Sequence, residues 1–191
     1  MPDHTPAPPA DAGPEALAAA IRVAHHGAAG ERTALLHALE QRAETPESRT
    51  VLADTALLLL ATLRAEDGSL DMVAADWLRR FGRPEHLDAV RALRPKLRPR
   101  TALRDWRLEV DRAIAMLQAR AEGGCGCAVD AAHGAPPVSR DYERLSDTTD
   151  RERYAIIWQV RCRSCTRRWD VVEQHGYHYP TFAWSRADAD G

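Results

Sequence analysis

Cys125, Cys127, Cys162 and Cys165 are the four cysteines of the chain, and they fall as two tight pairs, Cys-Gly-Cys and Cys-Arg-Ser-Cys. Two thiol pairs at such short spacing suit a tetrahedral ion, each pair gripping it from one turn. Disulfide formation and unliganded thiols are the competing uses of the same residues. A thioredoxin-type role fits poorly, because that CxxC opens a helix in a βαβ unit. Here residues 154–162 alternate with period two and run straight into Cys162, the pattern of a strand feeding a turn. Four thiolates would fill the shell of Zn²⁺ and leave no position for an activated water, so the ion is expected to be structural. Arg161, Arg163, Arg167 and Arg168 surround the second pair and are expected to offset its charge. His175 and His178 are the alternative ligands nearby, but their place in His-Gly-Tyr-His puts them in the turn and edge of an aromatic strand.

No catalytic constellation accompanies these cysteines. Phosphate loops, GxGxxG, GxSxG, HExxH and Ser/His/Asp arrangements do not occur, and the chain reads as non-enzymatic. The acidic group Glu31, Glu40, Glu44 and Glu47 reads as a solvated face, and His25-His26 as a pair near a helix end. The strongest basic run is Arg91, Arg94, Lys96, Arg98, Arg100, Arg104 and Arg107. Such a stripe could neutralise several phosphates. Base stacking is not indicated, since the one interleaved aromatic, Trp106, falls on the core face at helical spacing.

The elements that must position these residues are legible along the 191-residue chain. Hydrophobic residues at 45% and charged residues at 28% describe a globular balance. Net charge is −2, but residues 81–121 carry +5 against −5 for residues 1–80. Nearly all cations are Arg, with Lys96 the only lysine, which fits a GC-rich, bacterial genome. Met1 to Glu15 has neither a basic n-region nor an apolar segment, so no secretory signal is expected. The longest apolar run is far short of the ~20 residues that span a bilayer. A cytoplasmic protein without a membrane segment is therefore expected, and in that compartment paired thiols stay reduced.

Residues 1–14 read as a disordered lead-in and 15–122 as helical. Apolar residues recur at three-and-four spacing in Leu17–Ala24, Leu35–Ala43, Leu70–Phe81, Leu87–Leu93 and Leu103–Ala121. Between Glu47 and Arg64 they occur on all sides, the mark of a central, buried helix. Gly82 stops one helix and Pro84 opens the next. After Gly123-Gly124 the pattern changes. Residues 128–150 read as loop. Strands are expected from Tyr154 to Cys162 and from Arg168 to Glu173, with a third among Tyr177, Tyr179, Phe182 and Trp184. The second unit spans 123–186, with a tail at 187–191. So small a β unit relies on large aromatics and a metal staple.

The stretch VAADWLRRFGRPEHLDAVRAL, Val73 to Leu93, resembles a HEAT-type repeat, with its small-residue first helix, Phe-Gly-x-Pro-Glu turn and second helix of Leu and Val. The likeness is fainter over residues 31–64, and an irregular helical bundle accommodates the same pattern. The strand–CxxC–strand segment resembles a zinc ribbon. That resemblance implies a zinc knuckle at Cys162 and Cys165, completed by Cys125 and Cys127 across a 34-residue connection. Two departures stand out: the first pair has one intervening residue, so Gly126 must absorb a tighter turn, and Thr166 replaces the glycine usual after the CxxC.

The expectation is thus an α+β chain: a HEAT-like or bundled helical unit, then a zinc-ribbon-like antiparallel β unit. A protein-interaction or regulatory module with a structural zinc follows, since helical stacks usually bind proteins. The alternative is a nucleic-acid-binding protein using Arg94, Lys96, Arg98, Arg100 and Arg104 with Arg161, Arg163, Arg167 and Arg168.

Overall fold

A computed structural model of the chain describes residues 12–27, 30–41, 43–64, 67, 70–97, 107–139, 141–175 and 180–187. Among them are seven α-helices followed by a four-stranded antiparallel sheet, an α+β fold. The chain divides into two compact units, Met1–Glu122 and Gly123–Gly191. No helix among the described residues is long and apolar enough to cross a membrane.

The first unit holds α1 (Pro14–His26), α2 (Glu31–Gln41), α3 (Pro46–Ala61), α4 (Leu70–Phe81), α5 (Leu87–Leu93) and α6 (Arg107–Ala121). Proline at the first turn starts α1 and α3, where its missing N–H costs nothing. Thr45 caps α3, its hydroxyl accepting from the Ser48 N–H at 3.2 Å. The helix that is apolar all round is indeed the central one. α3 packs on α1, α4 and α5, and Leu52, Ala53, Ala56, Leu59 and Leu60 are buried along it. Against them lie Leu17 and Ile21 of α1 and Ala74, Trp77 and Leu78 of α4, and Val110 and Leu117 of α6, which packs on α4, complete the same core. Gly82 ends α4 through its N–H to the Leu78 carbonyl at 2.9 Å. It also permits close approach: a Cβ there would collide with that same carbonyl and lie 2.7 Å from Leu117 Cδ2. Leu103 and Trp106, expected at the start of the last helix, lie outside the described residues.

Glu40 departs from the expected solvated acidic face. Its carboxylate accepts from Trp77 Nε1 at 3.0 Å and pairs with Arg80 at 2.9 Å. A buried carboxylate, Asp67, follows α3. It accepts from the Arg64 N–H at 2.7 Å and faces Arg22 and His26 of α1, each at 3.6 Å. Burial alone would raise its pKa, but the Arg64 N–H, the Arg22 guanidinium and the polar contact from His26 outweigh burial and hold it below the ordinary value of 3.8. His25 is depressed below its ordinary 6.5, first by burial and then by the Arg32 guanidinium at 2.8 Å. The signs agree. Below 6.5 the unfolded chain takes up the His25 proton first, and below 3.8 it takes up the Asp67 proton first, so each step favours unfolding. Urea titrations of the full chain should show helical stability level above neutral pH and falling in these two windows. Asp67→Asn should remove only the lower one. A lower limb that persists in that variant would assign it to other carboxylates.

The second unit begins with α7 (Cys127–Ala132) and continues as β1 (Tyr142–Asp150), β2 (Ala155–Cys162), β3 (Arg168–His175) and β4 (Pro180–Arg186), paired in the order β1-β2-β3-β4. β2 and β3 form where the alternation predicts them, and Val160, Cys162, Trp169 and Val171 share the buried face. The third expected strand is β4, with Phe182 and Trp184 half-buried; Tyr177 and Tyr179 lie outside the described residues. The loop expected over 128–150 is corrected: it contains most of α7 and all of β1. The sequence of β1, YERLSDTTD, is polar and mostly exposed. Pairing with β2 holds it in place, and a register shift between Arg144 and Ser146 breaks any side-chain alternation.

Candidate metal centre

The four cysteine sulfurs converge, all within 4.8 Å of one another. Cys125 Sγ lies 3.2 Å from Cys127 Sγ, and Cys127 Sγ lies 3.6 Å from Cys165 Sγ. None is in a disulfide. A tetrahedral ion bonded to four sulfurs at ~2.3 Å would separate them by roughly 3.8 Å, so the cluster fits one ion with small adjustments.

Two local turns build it. Gly126 sits at φ +81° and caps α7, which lets the Cys125–Cys127 backbone fold back within a single intervening residue. This left-handed conformation is open to glycine without penalty. Cys162 ends β2, and residues 163–165 turn the chain into β3. The turn is closed on both sides, Thr166 N–H donating to Cys162 O and Cys162 N–H to Arg167 O, each at 2.9 Å. Its interior points N–H groups at sulfur. Those of Ser164 and Cys165 face Cys162 Sγ, and that of Arg167 faces Cys165 Sγ.

Electrostatics separate the thiols. Burial, followed by the neighbouring sulfurs, pushes the Cys127 pKa far up, and burial raises that of Cys162. Burial also opposes ionisation of Cys165, but the Arg167 N–H and hydrogen bonds from the other three thiols outweigh it and bring that group to about 7. Two buried thiols that resist ionisation, set beside a third that ionises readily, make a costly cluster to keep empty of cations. A bound divalent ion reverses that cost by stabilising all the deprotonated forms.

Four contacts that support the cluster were not evident in the sequence. Tyr142 OH donates to Asp130 Oδ2 at 2.8 Å with both residues buried, which ties α7 to β1. Tyr142 is the register partner of Cys162, so this bond brings the first cysteine pair to the second. Burial, then the Asp130 carboxylate, drives the Tyr142 pKa well up and keeps the phenol a donor. Trp184 Nε1 donates to Ala135 O at 2.9 Å and so pins the connection onto β4. Trp184 also meets Tyr142 and Trp169 edge-on, with ring centroids at 5.2 and 5.8 Å. A buried Tyr and Asp twelve residues apart are the only trace these contacts leave in sequence.

Thr166 occupies φ +61°, a region costly for a β-branched residue. Here lies the physical meaning of the missing glycine. Thr166→Gly should relieve about 1–2 kcal/mol of crowding and return roughly 0.5–1 kcal/mol through the freer unfolded chain. A net gain of about 0.5–1 kcal/mol in the metal-loaded unit is expected, read as a higher denaturation midpoint. A lower midpoint would mean that the Thr166 hydroxyl bond to Cys165 O, at 2.7 Å, matters more than the backbone.

The remaining candidate residues are dispersed. Arg161 pairs with Glu143 at 2.6 Å, Arg163 donates to Ser139 O at 3.3 Å, and Arg167 lies over the Trp169 ring at 5.9 Å. Arg168 is exposed at the start of β3. The groups aimed at sulfur are backbone N–H donors, not these guanidinium heads. His175 stands at the opposite end of β3 from the cysteines and pairs with Glu173 at 3.1 Å. His178 lies outside the described residues. In the basic run, Arg94 makes a two-pronged bond to Asp111 at 2.7 Å and Arg91 reaches Gln118 at 2.9 Å, while Lys96 is exposed. Arg98, Arg100 and Arg104 lie outside the described residues, and Arg107 opens α6.

No protein-family model, no curated protein and no solved structure matches the chain.

Proposed function

We propose that this chain is a non-enzymatic protein-interaction or regulatory module whose second unit is folded around a structural Zn²⁺ held by Cys125, Cys127, Cys162 and Cys165. The convergence of the four sulfurs within 4.8 Å carries the metal reading. An all-sulfur, tetrahedral donor set selects zinc over the hard cations. With four thiolates bound, the shell is closed to substrate, which favours scaffolding over chemistry. The knuckle at Cys162–Cys165, flanked by two paired strands, supports a zinc-ribbon-like unit. The Phe81-Gly82-Arg83-Pro84-Glu85 turn between α4 and α5 supports a HEAT-like helical unit, whose usual ligand is another protein in the cytoplasm.

Nucleic-acid binding is the reading this competes with. Arg94 and Arg161 both spend their charge on carboxylates of the same chain, Asp111 and Glu143, which supports the protein-partner reading. Affinity capture of the tagged chain from its host, with zinc measured on the same sample, tests both. One zinc per chain and a co-captured protein that survives nuclease treatment are expected. Capture of RNA or DNA, with affinity falling steeply in a salt series, would overturn the protein-partner reading. A cobalt-substituted spectrum with fewer than four thiolates would reopen the case for chemistry at the ion.

A further inference from the structure

The four sulfurs are not equally reachable. Cys127 and Cys162 are 1% and 3% exposed, Cys125 is half-buried, and Cys165 is exposed at the outer rim of its turn. Its neighbours Arg163, Ser164, Thr166, Arg167 and Arg168 are exposed as well, so a small solute has open access to that one sulfur. Directly behind it, 3.6 Å away, is the sulfur of Cys127, which belongs to the other arm of the chain, 38 residues distant. An exposed cysteine sulfur backed by a buried second one is the arrangement that converts an oxidant's attack into a disulfide.

We propose that Cys165 is an oxidation site for peroxide, resolved by Cys127, through which the second unit releases its ion and loses its fold. The inference rests on the structural-metal reading above. In the first step the Cys165 sulfur donates an electron pair to one oxygen of hydrogen peroxide. The O–O bond breaks, and the departing hydroxide takes a proton and leaves as water, giving a sulfenic acid. In the second step the Cys127 sulfur attacks Cys165 sulfur, the S–O bond breaks, and a second hydroxide leaves as water with a solvent proton. Two thiolates have been oxidised to one disulfide and one peroxide reduced to two waters. Only Cys125 and Cys162 then remain as donors, too few to retain the ion. A dithiol reductant restores the thiols.

The full-length, zinc-loaded chain tests this directly. Zinc is first counted per chain, then freed zinc is followed with a chromogenic chelator during treatment with hydrogen peroxide. Non-reducing tryptic mapping follows; cleavage at Arg163 separates Cys162 from Cys165, and fragmentation of the linked peptide 121–140 between Cys125 and Cys127 shows which of the two is joined, a Cys125–Cys165 bond overturning the role of Cys127. The expected result is release of the bound zinc together with a peptide carrying a Cys127–Cys165 bond, both reversed by dithiothreitol and added zinc. Zinc that stays bound, or a disulfide joining Cys162 to Cys165 or Cys125 to Cys127, would overturn the proposal while leaving the metal site intact. A chain that holds no stoichiometric zinc at the outset would overturn the metal reading itself, and this one with it. Cys165→His supplies a second measurement, since Cys₃His shells also hold zinc. If it loads, its peroxide-driven release should be slower by about ten-fold or more, and release at the wild-type rate would refute the role of Cys165. If it does not load, the disulfide map of the unaltered chain still decides.

Discussion

Cys162→Ser should unfold the second unit and leave the helices of the first largely formed. Of the four proposed ligands Cys162 is the most structurally committed: it is buried, ends β2, opposes Tyr142 in register and receives two backbone N–H groups at sulfur. Serine offers zinc a poor donor in its place. Structural zinc in small units contributes about 10–16 kcal/mol of binding energy that is also folding energy. A core built on Tyr142, Val160, Trp169 and Val171 is too small to make up for the loss of much of it. Indole N–H signals in a heteronuclear spectrum provide the readout, because the chain has five tryptophans and three of them, Trp158, Trp169 and Trp184, lie in the strands. Those three should collapse to unfolded positions while the Trp77 signal persists. Chelation of the metal from the unaltered protein should give the same spectrum. Retained dispersion of the three strand indoles in Cys162→Ser would show that the aromatic cluster folds without the ion.

Trp77→Ala should lower the stability of the helical unit by about 3–5 kcal/mol. Trp77 is 1% exposed and lies in the core shared by α1, α3, α4 and α6. Truncation leaves a large cavity, and it also removes the donor that Glu40 accepts from at 3.0 Å. Arg80 still pairs with that carboxylate, which limits the electrostatic part of the cost. For a domain whose total stability is roughly 5–15 kcal/mol, the loss is a large fraction. Urea midpoints of the two proteins at equal m value check it. A change under about 1 kcal/mol would mean that neighbouring side chains refill the space.

Legibility in the sequence followed burial. α1, α2, α4 and α6 each present one apolar stripe, and the stripe is what a three-and-four spacing detects. α3 was recognisable for the opposite reason, having no polar side to point outward. β2 and β3 showed period two because one face of each is buried in the aromatic and cysteine cluster. β1 could not be found this way. Its residues face water on nearly all sides, and its order comes from hydrogen bonds to a neighbour that no local pattern encodes. The six-residue α7 is too short to show a period at all. The cysteine spacing pointed to the cluster itself. Its supports did not show, because Asp130, Tyr142 and Trp184 become partners only after the connection folds back. The Arg94 and Arg161 ion pairs were hidden for the same reason, each joining residues 17 or 18 positions apart.

The sheet is a simple meander, each strand paired with the one next to it in the chain. Its hairpins therefore close short loops and assemble with little entropic delay, whereas joining Cys127 to Cys165 closes a span of 38 residues. Kinetically, the Cys162–Cys165 turn is ready first and the ion can be captured by two thiolates before the remaining pair arrives. Refolding with metal should then proceed in two resolvable stages, a concentration-dependent capture followed by a first-order docking of the amino-terminal arm.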